Sequence, residues 1–95
     1  MLDQPAGLLS VLLDVTARID ERDDAAMALY QYDTPEVEAA LIAIASDLAT
    51  PALVASSAGE SLGVLWTRRG AVNADAMARL RSDARSEAAA VLSLP

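Results

Sequence analysis

Thr34-Pro35-Glu36-Val37-Glu38-Ala39-Ala40-Leu41-Ile42-Ala43-Ile44-Ala45 is the stretch whose reading decides the fold. A threonine whose side chain can cap, a proline at the first helical position and an acid in the first turn together specify a helix start. Behind that start Val37, Leu41, Ile44 and Leu48 recur at helical spacing, flanked by Ala40 and Ala45. Thr50-Pro51 repeats the opening, and Val54, Ala58, Leu62 and Leu65 repeat the stripe, ending at Trp66 and the C-cap candidate Gly70. Helices over 35–47 and 51–68, joined by a short loop, are expected to form an antiparallel hairpin.

Upstream, Leu8, Leu12, Val15 and Ile19, widened by Leu9 and Leu13, predict a helix over 6–19 with Arg18 in its last turn. Asp20-Glu21-Arg22-Asp23-Asp24 contains no apolar residue. It is expected to be a solvated connection, with Asp23 or Asp24 capping a short helix over 25–31. Downstream, Asn73 is placed to cap a last helix over 74–92, with Met77, Leu80, Ala84 and Val91 inward and Arg79, Arg81 and Arg85 outward. Asp75 and Arg79 stand four apart, as an intrahelical ion pair requires. Gly59 and Gly63 fall inside the second hairpin helix. Each costs about 1 kcal/mol there relative to alanine, so close helix–helix approach is the expected reason for them. The chain therefore reads as all-α, one domain spanning 1–95, with four or five antiparallel helices.

Composition agrees. The chain is 54% hydrophobic yet has only one Trp, two Tyr and no Phe, so small helix-favouring residues must build the core. It has no Cys and no His, which removes thiolate metal sites, the commonest metal ligand and the commonest general base. Every one of the seven cations is Arg. No apolar run approaches the roughly 20 residues that span a bilayer, and the first residues lack a basic leader. A cytoplasmic location without membrane contact is expected.

The charge is unevenly placed. Residues 1–66 hold eleven acids and two Arg, a balance of −9; residues 67–95 hold three acids and five Arg, +2, giving −7 in total. An acidic protein has no general affinity for nucleic acid. The acidic cluster lacks the alternating spacing, central Gly and distal Glu of an EF-hand loop. Ser57 and Ser61 have no His or Lys to activate them, and without Lys the Gly59–Gly63 segment is no phosphate loop. Paired carboxylates of the glycosidase kind need an aromatic-rich cleft that three aromatics cannot build. What remains is a binding protein without cofactor or metal. Its candidate contact residues are Asp20, Glu21, Asp23, Asp24, Tyr32, Asp33, Glu36 and Glu38. The carboxylates would face Lys and Arg of the partner, and Tyr32 would fill a pocket.

Read as one unit, residues 34–70 resemble the small HEAT-like helical immunity proteins of bacteria, of the contact-dependent growth inhibition type. The resemblance is carried by Pro35-Glu36-Val37, Leu41-Ile42-Ala43-Ile44-Ala45, and Ser57-Ala58-Gly59-Glu60-Ser61-Leu62-Gly63-Val64-Leu65-Trp66. It covers about 40 of the 95 residues. It implies a protein without catalytic activity that acts as a monomer in a 1:1 complex with a cognate toxin domain, often a nuclease. An acidic helical face could cover the basic active or substrate-binding surface of such a toxin. The alternative expectation is a helical adaptor or oligomerising structural module.

Overall fold

The computed structural model describes residues 3–95, and all of their regular structure is helical. The elements are α1 (Ala6–Leu13), α2 (Ile19–Ala28) with a 3-10 turn (Leu29–Gln31), α3 (Pro35–Ser46), α4 (Ala52–Arg69), α5 (Ala74–Arg79) and α6 (Ser82–Leu92). The hairpin forms as its stripes require. Thr34 Oγ1 accepts from Val37 N–H at 3.2 Å, with Pro35 in the first turn. At the far end Gly70 adopts φ 69°, and Ala71 N–H reaches back to Trp66 O at 3.2 Å, closing a Schellman turn. The second Thr-Pro pair behaves differently: Pro51 occupies the N-cap position, and Thr50 is buried without capping. Leu48 falls beyond the end of α3 and stands 83% exposed rather than joining its stripe.

α4 is the axis of the molecule. It packs most extensively on α6 and then on α3 and α2. Leu62, Leu65 and Trp66 from α4 meet Val37 and Leu41 from α3, Leu29, Leu12, and Ala84 and Ala88 from α6 in one continuous buried cluster. The glycines explain the α6 contact. A Cβ on Gly59 would lie 2.2 Å from Ala84 O, and one on Gly63 would lie 2.9 Å from Val91 Cβ. The close approach that two mid-helix glycines demand is therefore made with the C-terminal helix and not with the hairpin partner.

Three expected boundaries are corrected. The first helix stops at Leu13, because the Asp14 carboxylate takes both Thr16 N–H, at 2.9 Å, and Thr16 Oγ1–H, at 2.7 Å, in a local turn. The acidic cluster is no connection. It forms the first half of α2, whose N-cap is Arg18 rather than Asp23 or Asp24. The last helix breaks at Leu80 (ψ 143°) and Arg81 (ψ 157°), because Arg81 N–H turns away to Ala45 O at 3.1 Å. Asn73 does cap α5, accepting from Ala76 N–H at 3.1 Å. Arg79 reaches the Asp75 carbonyl at 3.4 Å, so the expected side-chain ion pair is absent.

The all-Arg usage acquires a structural reason. The last carbonyls of a helix lack intrahelical donors and lie at the negative end of its dipole. Arg22 Nε donates to Leu12 O at the end of α1 (3.0 Å). Arg68 donates to Tyr30 O in the 3-10 turn (2.9 Å). Arg81 donates to Asp47 O and Thr50 O after α3 (3.0 and 2.6 Å). Arg85 donates to Leu80 O after α5 (2.7 Å). The outward Arg stripe expected on the last helix is thus largely occupied in stapling helix ends. A planar fork with several donors suits this task better than an ammonium group.

Candidate protein-binding face

The eight candidate contact residues divide into two groups. Asp33 and Glu38 do not belong to an open acidic surface. Arg69 NH2 lies 2.6 Å from Asp33 Oδ1, and Arg69 NH1 lies 3.0 Å from Glu38 Oε2. The hydrogen bond from Arg69, more than its charge alone, holds the Asp33 carboxyl below the usual aspartate range, and the same pairing raises Arg69. Glu38 also accepts from the indole N–H of the fully buried Trp66 at 2.7 Å. A buried indole donor needs such an acceptor, so Glu38 belongs to the joint between α3 and α4. Tyr32 packs against the core as a half-buried ring, and Tyr30 lies under Arg68, whose guanidinium carbon is 5.4 Å from the ring centroid. Neither ring is free at the surface.

Asp23 is turned inward as well. Its carboxylate accepts from Ser57 Oγ, while one turn on Ser61 Oγ donates to Ala26 O. Two serines of α4 therefore staple α2, which has almost no large apolar residue to offer. Its buried side is Arg22, Ala25 and Ala26.

Asp20, Glu21, Asp24 and Glu36 are exposed. Asp20 makes an exposed ion pair with Arg18 at 2.8 Å, worth at most about 1 kcal/mol. Glu21, Asp24 and Glu36, and also Glu60 on α4, have no ion-pair partner among the described residues. Two grooves run along α2, and only the first has α2 carboxylates on its rim. One, of about 420 Å³, runs between α1 and α2, with Leu8, Val11, Ala25 and Ala28 as its walls and Glu21 and Asp24 on its rim. The other, of about 260 Å³, runs between α2 and α4 and is lined by Met27, Tyr30, Ser61 and Val64, with Glu60 beside them. Met27 is 49% exposed there. Sequence reasoning passed over Met27 and gave Glu60 a structural role, as a partner of Arg68 or Arg69 or of a helix end, whereas Glu60 forms no ion pair among the described residues. Placing the cluster on a helix would have found Met27, since it stands three residues after Asp24.

Among the described residues no group of three or more acids is arranged to hold a metal ion, and no helix is long and apolar enough to cross a membrane. The remaining shifted carboxylates also have local causes. Burial pushes Asp83 upward, but hydrogen bonds from Arg81 and Ala84 N–H, with the Arg81 charge, outweigh it and leave the group lowered. Asp14 is lowered chiefly by its two bonds from Thr16. No known protein-family model, curated protein or solved structure matches this chain.

Proposed function

We propose that the chain is a binding protein that covers a basic surface on another protein, with α2 as its contact helix. The observation that carries this reading is the set of exposed α2 carboxylates Asp20, Glu21 and Asp24, the last two on the rim of the apolar groove between α1 and α2. Lysine and arginine pair an aliphatic stem with a charged end, so an apolar groove rimmed by carboxylates complements them along their whole length. The chain's −7 charge adds long-range attraction, which raises association rates before any contact forms. In the form implied by the resemblance to immunity proteins, the partner is a toxin domain, and a nuclease, basic because it must hold phosphates, is the fitting kind. Asp23, Tyr32, Asp33 and Glu38 leave the contact set, since each is engaged within the fold.

The test is association with the proteins encoded by the genes flanking this chain's own, followed, for any that binds, by stopped-flow mixing at low and high salt. The wild-type association rate is expected to fall steeply with salt. Asp20→Asn/Glu21→Gln/Asp24→Asn together should lower the low-salt rate about tenfold and flatten the salt slope. An unchanged rate and slope in that variant would remove α2 from the interface. Sedimentation separates the alternative of a self-associating module, which requires a stable homo-oligomer where the binding reading requires a monomer.

A further inference from the structure

Arg22 is only 5% exposed, yet its side chain makes a single hydrogen bond among the described residues, from Nε to Leu12 O. Its two terminal nitrogens have no hydrogen-bond partner among the described residues. Among the described residues the only fully covered side-chain N or O atom without a hydrogen bond is Ser46 Oγ, so the Arg22 fork keeps a narrow contact with solvent. That contact opens into a groove of about 520 Å³ at one end of the molecule, between the α1–α2 turn and the α3–α4 turn. Leu13, Val15, Ala43, Ile44 and Pro51 form its walls. The carboxylates nearby are engaged elsewhere: Asp14 with Thr16, and Asp47, which lines the groove, with Ala49 N–H at 2.8 Å. Neither forms an ion pair with Arg22.

We propose that this groove is a second docking site, separate from the acidic edge, and that it takes a segment of a partner protein presenting a carboxylate beside an apolar side chain. Arginine stays charged at any physiological pH, and its two terminal nitrogens match the two oxygens of a carboxylate. A permanently charged fork at the back of apolar walls has only solvent to bond until such a group arrives. The local field also contains Asp14 and Asp47, so a bare anion gains little; the apolar part of the ligand must contribute. The rim favours a protein segment over a small molecule. Val15 is 81% exposed, Leu13 52%, and Leu48 from the adjoining turn 83%, so a small ligand would leave these side chains in water. A second copy of this chain is disfavoured by the mutual repulsion of two −7 bodies.

The test uses three capped hexapeptides, identical except for Glu, Gln or Lys between leucines, titrated into the intact ¹⁵N-labelled protein. The Glu peptide is expected to shift the Arg22 Nε–H resonance with the amides of Val15, Ile44 and Ala49, and to bind about fivefold or more tightly than the Gln peptide. Val15→Asp, at an exposed rim position, should abolish this binding without changing the melting temperature. Arg22→Lys should reduce the Glu preference; if that variant does not fold, the Val15→Asp comparison decides alone. Equal binding of the Glu and Gln peptides, preference for Lys, or an unmoved Arg22 resonance at millimolar peptide would overturn the proposal.

Discussion

Replacing Gly59 by alanine tests the packing on which the fold turns. The added methyl carbon would lie 2.2 Å from Ala84 O, 2.7 Å from Ala84 C and 2.8 Å from Ala84 Cα. These are backbone atoms, so no side-chain rotation relieves the clash; α6 must move outward by about 1 Å to restore ordinary contact. A shift of that size along a tightly packed helix forfeits a quarter to half of the dispersion at each contact. Overpacking costs run to about 3 kcal/mol or more, against which alanine's better helix propensity returns about 1 kcal/mol. The expected net loss is about 2–3 kcal/mol, or a melting temperature lower by about 10–20 °C for a domain of this size. Gly63→Ala meets Val91 Cβ at 2.9 Å and Ala88 O at 3.0 Å, atoms that move only with the α6 backbone, so the helix must shift here too, though less than at Gly59. Its loss should be smaller, about 1–2 kcal/mol. Urea unfolding followed by Trp66 fluorescence measures both. A Gly59→Ala protein as stable as wild type, or more stable, would refute the close α4–α6 approach.

Glu38→Ala should cost about 1–3 kcal/mol and shift the Trp66 emission, because it strips the buried indole N–H of its acceptor; Glu36→Ala, at an exposed position, should stay within about 0.5 kcal/mol. Thr34→Ala and Asn73→Ala each remove a helix cap and should each lower stability by about 1 kcal/mol in urea titrations. The carboxyls of Asp14, Asp33 and Asp83 all titrate lower in the folded state than an unperturbed aspartate. Their contribution is thus complete above the unperturbed value and lost as pH falls through the folded values. The urea midpoint should therefore decline below about pH 4, and Arg69→Met should make that decline shallower.

The α3–α4 hairpin was legible almost to the residue because its signals are local: the Thr34 cap, Pro35 and the left-handed Gly70. α2 was hidden because its buried side consists of Arg22, Ala25 and Ala26 rather than a large-residue stripe. It is held by Ser57 and Ser61, more than thirty residues away. Conversely, the apolar period of Leu8, Leu12, Val15 and Ile19 runs straight across a break imposed by Asp14 and Thr16. The 74–92 segment contains nothing that stops a helix; the break at Leu80 depends on Arg81 finding Ala45. Ser82-Asp83, which has the chemistry of a helix start, was the one local hint. Within the candidate face, the residue types were legible but their engagement was not. Arg69 neutralises Asp33 and Glu38 from 36 and 31 positions downstream, which no window of local sequence reveals.

The central claim is that α2 meets a cationic protein surface edge-on. Amide hydrogen exchange of this chain, free and bound to the protein partner that screening of the neighbouring genes' products identifies, tests that most directly. Binding should slow exchange across residues 19–31 and leave α5 and α6 unchanged. Protection confined to α5 and α6, with α2 exchanging as in the free protein, would contradict the account.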